Sequence, residues 1–212
     1  MTRPVVLLGA GGYARTVLQI LRMRRDDVRG CVGLEPDRPA SYALEVPYLG
    51  DDTAALTLDA AQIALVNAVG SVGPPITRRE LFQRYKTAGF RFETLVHPRA
   101  VLADDVHMEE GAHVHANAVL QPGAVIGANA IVNTGASVDH DCRIGAHAHL
   151  APGVVFSGNV VVGECAHVGT GAIVIQGIHI GAGATVAAGA VVVSAVAQGR
   201  TVMGAPARPR NG

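Results

Sequence analysis

The chain has 212 residues, 49% of them apolar but only 4% aromatic and none tryptophan, so its core must be filled by small and β-branched side chains. Charged residues make up 16% and glycine about 12%, against averages near 25% and about 7%, which excludes a polar helical bundle and a disordered chain. Seventeen basic residues offset seventeen acidic ones, so no global field recruits nucleic acid or an anionic membrane, and the expected partners are small or neutral.

The length predicts one long domain or two small ones. The opening residues, MTRPVVLLGAGG, begin like a signal peptide, but the apolar run is short and enters a glycine turn with no cleavage region, so it reads as a first strand, Val5 to Leu8. A helix from about Tyr13 to Arg25, strands Cys31 to Leu34 and Ile63 to Asn67, and a helix from about Thr77 to Ala88 complete a small Rossmann-like βαβ unit. Between its first strand and first helix, Gly9-Ala10-Gly11-Gly12-Tyr13-Ala14 satisfies GxGxx(G/A). In that context backbone N–H groups and a helix N-terminus hold phosphate, and the competing reading is a tight turn with close helix packing. The unit is too short for a full dinucleotide fold, so a mononucleotide moiety suits it better, with Glu35 and Asp37 placed to meet a ribose or base. Twelve of the seventeen basic and ten of the seventeen acidic residues fall before residue 96, a composition shift that sets the domains at 1–95 and 96–200, with 201–212 as a tail. Residues 89–100 connect the two units.

From residue 102 to 192, every sixth position is large and apolar, sixteen in succession from Leu102 to Val192. Four places after each stands a small or aliphatic residue, from Val106 to Val196. A period of six fits neither a 3.6-residue helix nor an alternating hairpin sheet; it fits a parallel β-helix of hexapeptide repeats, with three hexads to a coil of 18 residues. Residues 18 apart therefore stack. The uncharged run from Val168 to Gly199 mimics a membrane span in hydropathy, yet its glycines and alanines recur too regularly for one.

Between Gly111 and Gly199 only Asp139, Asp141, Arg143 and Glu164 carry a charge, and three of the four surround His140. Charges retained on an otherwise uncharged column point to a site, the alternative being a solvated corner with a chance histidine. A histidine beside a carboxylate suits general-base work at neutral pH; Asp141 is the nearer partner and Asp139 the second. Cys142 occupies an inward position and reads as packing rather than as a nucleophile. Gly158 follows His140 by one coil, where its N–H can polarise a carbonyl above the imidazole. Pro152, Thr170 and Ala188 form a second column, a groove wall. His113, His149 and His167 share a third, which reads either as exposed corner histidines or as a metal ladder between chains. Three separated cysteines without a CxxC pair suggest reduced thiols and a cytoplasmic protein.

GAGGYA, then VDHDCRIG, HLAPG and SGNVVVG in the hexapeptide region, and a closing VMGAPAR together resemble the sialic acid O-acetyltransferase and bacterial nucleotide-sugar N-acetyltransferase family, including the bacillosamine- and perosamine-type enzymes. The resemblance covers nearly the whole chain. It implies a left-handed parallel β-helix, a homotrimer, and acetyl-CoA in grooves between adjacent prisms, with no metal. By motif position, His140 matches the catalytic base and Asp141 the acid that raises its basicity, where many members have Glu. His149 would contact the thioester end of acetyl-CoA, Gly158 would supply a backbone donor, and Thr170 and Ala188 would line the pantetheine groove. A nucleotide sugar would lie on Gly11, Gly12 and Tyr13, near Glu35 and Gly70. Tyr13 stands where some members carry His, and GLEPD replaces a more usual paired-Asp stretch. The reaction implied is direct acetyl transfer to a sugar amine. The alternatives are a sugar hydroxyl as acceptor, a zinc lyase of the γ-type carbonic anhydrase kind, and a non-catalytic sugar-nucleotide binder.

Overall fold

The computed structural model describes residues 3–33 and 44–210. Its N-terminal unit is a parallel sheet in the order β2-β1-β3-β4, formed by β1 (Val5–Leu8), β2 (Val28–Val32), β3 (Ala64–Asn67) and β4 (Arg91–Phe92). The first and third strands are fully buried, as parallel strands covered on both faces must be. Helix α1 (Gly12–Arg24) packs Ala14, Val17, Leu18 and Leu21 on one face of the sheet, and α2 (Ile76–Thr87) packs Leu81, Phe82 and Tyr85 on the other. The second strand begins at Val28, three residues before the start expected from sequence, because Gly30 and Cys31 pair with Val6 and Leu7.

The hexapeptide region is a triangular prism of two-residue parallel strands, in which the large residue of each hexad is the second residue of a strand. Its core stacks Val114, Ile126, Val138, Leu150, Val162 and their equivalents over the inward alanines. Three faces result. A histidine face carries His113, Ile131, His149, His167 and Thr185 at successive levels. A valine face carries Val101, Val119, Ser137, Val155, Ile173 and Val191. The third face carries His107, Val125, Arg143, Val161 and His179. Coils approach so closely that a Cβ on Gly127 would lie 2.6 Å from the Ala146 nitrogen of the next coil, which is why glycine follows the large residue there.

Two expectations change. Residues 201–203, read as tail, add a strand to the histidine face by pairing with Thr185 and Val186, and 208–209 fold back on them as an antiparallel pair. The histidine column is not exposed: His113, His149 and His167 are buried, because the N-terminal unit lies against that face.

Candidate active site

His140 sits on the corner between the valine face and the third face, with its side chain about half exposed. Its Nδ1 lies 2.8 Å from Asp141 Oδ2. An ionised carboxylate only accepts, so Nδ1 carries the proton and Nε2 keeps a lone pair. The His140 backbone N–H donates to Asp139 Oδ1 at 2.7 Å, so both flanking acids hold the residue. The hydrogen bond to Asp141 raises the imidazole above the ordinary histidine value, Asp139 adds to the effect, and partial desolvation opposes it.

The backbone around this pair is built to make room. Asp141 adopts φ 59°, a left-handed turn position that its column fills elsewhere with Gly123, Asn159 and Gly177. The same φ recurs at Asn117, Asn129, His147 and Cys165, so it is the regular geometry of these turns, one that aspartate and asparagine tolerate. One coil before Asp141, a Cβ on Gly123 would stand 2.6 Å from Asp141 Oδ1; one coil after His140, a Cβ on Gly158 would stand 2.4 Å from His140 Nε2. The carboxylate and the ring therefore each occupy space that only glycine leaves free. The Gly158 N–H makes no hydrogen bond among the described residues, which leaves it as a donor beside Nε2.

A second feature lies between the N-terminal unit and the prism: a cavity of about 530 Å³. Gly11, Gly12, Tyr13 and Gly70 line one side, and His149, Pro152, His167 and Thr170 the other. None of the side chains lining it is Asp, Glu, Lys or Arg, so an anion there meets only neutral donors, the backbone N–H groups and the α1 N-terminus foremost. Burial, then the neighbouring His167 ring, pushes His149 down to about 3. Its imidazole lies 2.8 Å from Ser71 Oγ through Nδ1 and 3.3 Å from Asn133 Nδ2 through Nε2.

Tyr13 reaches past the cavity wall. Its hydroxyl is 2.9 Å from His113 Nδ1 and 2.8 Å from His115 Nε2, donating its proton to one ring and accepting from the other. Arg78, buried, donates to the carbonyls of Asn67, Val69 and Asn129, and its guanidinium stands 5.9 Å from the centre of the Tyr13 ring. Burial lowers His113 well below its ordinary value and His115 to about 4, so both imidazoles are neutral.

The sequence-chosen residues thus fall into two groups. Gly11, Gly12, Tyr13, Gly70, His149 and Thr170 share the cavity; His140, Asp141 and Gly158 share the corner; Ala188 lies exposed and Glu35 falls outside the described residues, with Asp37. Ser71 and Asn133, which the sequence did not mark, also line the cavity, as does His167, which the sequence marked only as a corner or metal-ladder histidine. His167 carried a signal in the 18-residue column it shares with His149; Ser71 and Asn133 carried none. No group of three His, Cys, Asp or Glu side chains among the described residues is arranged to hold a metal ion, and no helix among them is long and apolar enough to cross a membrane.

Residues 123–158 match the family model described as bacterial transferase hexapeptide (six repeats). Comparison with curated protein sequences finds no match. Among solved structures, PerB from Caulobacter crescentus in complex with CoA and GDP-perosamine is 37% identical, with a TM-score of 0.90, 100% of this chain covered and 99% of that one. The acetyltransferase domain of PglB from Neisseria gonorrhoeae in complex with acetyl coenzyme A is 34% identical, with a TM-score of 0.89, 99% of this chain covered and 100% of that one. WeeI from Acinetobacter baumannii is 25% identical, with a TM-score of 0.78 over 99% of this chain and 100% of that one.

Proposed function

Because this chain belongs to the nucleotide-sugar N-acetyltransferases built on hexapeptide repeats, we propose that it transfers the acetyl group of acetyl-CoA to the amine of a nucleotide-linked amino sugar, with His140 as general base. One observation carries the assignment of roles: a carboxylate-oriented imidazole whose Nε2 end rests against Gly158, a residue whose backbone N–H has no partner among the described residues. The sugar nitrogen attacks the thioester carbon, His140 Nε2 takes the proton released from nitrogen, and Asp141 stabilises the imidazolium that forms. The Gly158 N–H stabilises the oxyanion of the tetrahedral intermediate. Collapse forms the amide and breaks the carbon–sulfur bond, and the proton on His140 can pass to the departing thiolate.

The cavity receives the nucleotide part of the acceptor on Gly11, Gly12 and the α1 N-terminus, and the coenzyme runs along His149, Thr170 and Ala188. The charged corner and the cavity lie at opposite edges of the valine face, so a complete site requires a second copy of the chain to bring its His140 to the cavity. The valine face supports a homotrimer, because Val101, Val155 and Ile173 stand exposed on it in one chain. We assign the activity to the cytoplasm; the three cysteines are free thiols, in keeping with a reducing compartment.

Acetyl-CoA mixed with a panel of nucleotide-linked amino sugars should release free thiol only with the correct acceptor. His140→Ala should lower turnover by at least about a hundredfold while acetyl-CoA affinity and fold stay unchanged, as for loss of a general base. Near-normal turnover in that variant would remove His140 from its role.

A further inference from the structure

The cavity wall contains a chain of hydrogen bonds whose direction can be read from one end. The backbone N–H of Thr134 donates to Asn133 Oδ1 at 2.8 Å, which fixes the oxygen of that amide and turns its nitrogen toward His149. Asn133 Nδ2 is 3.3 Å from His149 Nε2, and an amide nitrogen can only donate, so Nε2 accepts and the His149 proton resides on Nδ1. Nδ1 is 2.8 Å from Ser71 Oγ, which therefore accepts from it. Every donor up to this point is used once. The hydrogen of the Ser71 hydroxyl is left over, on a residue that lines the cavity. Burial holds His149 neutral, so the ring cannot donate from both nitrogens and reverse the order.

We propose that Ser71 is a substrate-binding residue of this cavity, its hydroxyl polarised and aimed by the Asn133–His149 pair to donate a hydrogen bond to an acceptor oxygen of the bound substrate. The oxygen belongs either to the acyl-pantetheine end of acetyl-CoA or to the sugar nucleotide; both present carbonyl, hydroxyl or phosphate oxygens. Where nothing charged lines the cavity, a side-chain donor of fixed direction supplies the orientation that backbone N–H groups at the glycine turn supply for phosphate. The proposal rests on the acetyl-transfer reading for its ligand and on hydrogen-bond geometry for its direction.

Both supports can be tested on the full chain. Long-range proton–nitrogen NMR correlations should show His149 as the Nδ1–H tautomer in the free protein; the Nε2–H tautomer would make Ser71 the donor to His149 and overturn the proposal. Calorimetric titration of Ser71→Ala with CoA, and separately with a nucleotide-linked amino sugar, should show a roughly three- to tenfold loss of affinity for one of the two, the scale of one neutral hydrogen bond. The arm that weakens identifies the oxygen. Ser71→Thr, which keeps the hydroxyl, should restore that affinity. Undiminished binding in both arms overturns the role of Ser71 while leaving acetyl transfer intact. A wild-type protein that binds neither CoA nor any nucleotide sugar overturns the functional reading, and this proposal with it.

Discussion

Asp141 is held by what its neighbours lack. A side chain at Gly123 would collide with the flexible end of Asp141, which swings aside at little cost to the fold but at the cost of its hydrogen bond to His140. Gly123→Asn is the informative substitution, because asparagine tolerates the left-handed φ of 75° at that position. It should behave like Asp141→Asn. In both variants the largest cause of the raised proton affinity of His140, its hydrogen bond to Asp141, is lost while Asp139 remains, so the acid limb of the pH–rate profile moves to lower pH while the plateau rate falls. Gly183, on the corner away from both edges of the valine face, supplies the control: it also has positive φ, 63°, but a Cβ there meets nothing within 4 Å. Gly183→Asn should leave the profile unchanged, and a Gly123→Asn profile that coincides with it would show that Asp141 does not depend on the space below it. The histidine and its acid were legible in sequence because three of the four charges between Gly111 and Gly199 gather around them. The two flanking glycines were only half legible: the 18-residue spacing pointed to Gly158, but a vacancy beneath a carboxylate leaves no mark in a repeat full of glycine.

At the scale of elements, the helix that opens at the glycine turn is tied to the prism by Tyr13, whose hydroxyl bridges His113 and His115 on the coil it faces. Tyr13→Phe removes both bonds and leaves two ring nitrogens buried without a partner, so it should lower unfolding free energy by about 1–3 kcal/mol in chemical denaturation. A change near zero would mean that water replaces the hydroxyl. The same interface sets a pH dependence. In the folded chain burial depresses His113, His115 and His149, the latter two to about 4 and about 3, while an unfolded histidine titrates near 6.5. Below about pH 6.5 the unfolded state binds protons that the folded state refuses, so stability falls as pH falls, by about 1.4 kcal/mol per histidine per pH unit until the folded values are reached. Urea midpoints that stay level from pH 7 to 5 would show that these rings are not neutral and buried. Sequence periodicity located nearly every strand of the prism because burial and the six-residue phase coincide. It failed for the histidine column, since the outward position on that face becomes interior only when the N-terminal unit covers it. Ser71 escaped for a similar reason: it meets His149 across 78 positions of sequence, with no spacing rule to join them.

For the whole molecule, the valine face decides how a site is completed. One of its edges carries the turns with Asn133, Pro152 and Thr170, which line the cavity; the other carries the turn with Asp139, His140 and Asp141. If three chains turn their valine faces toward a common axis, each contact is head-to-tail and closes into a ring, so the cavity edge of one chain meets the His140 edge of the next. Sedimentation should give a trimer, and Ile173→Asp, which places a carboxylate on that face, should yield smaller, inactive species. A sharper test uses two inactive variants. His140→Ala spoils one edge; Gly12→Glu spoils the other, by placing a negative charge at the helix terminus where phosphate would bind, in open space where the added Cβ meets nothing. Mixed in equal amounts and allowed to reassemble, random trimers place a sound cavity beside a sound His140 at about one junction in four, so about a quarter of wild-type activity should return. If each chain held a complete site of its own, the mixture would be as inactive as its parts, and the shared-site account would fall while the acetyl-transfer chemistry of His140 stood.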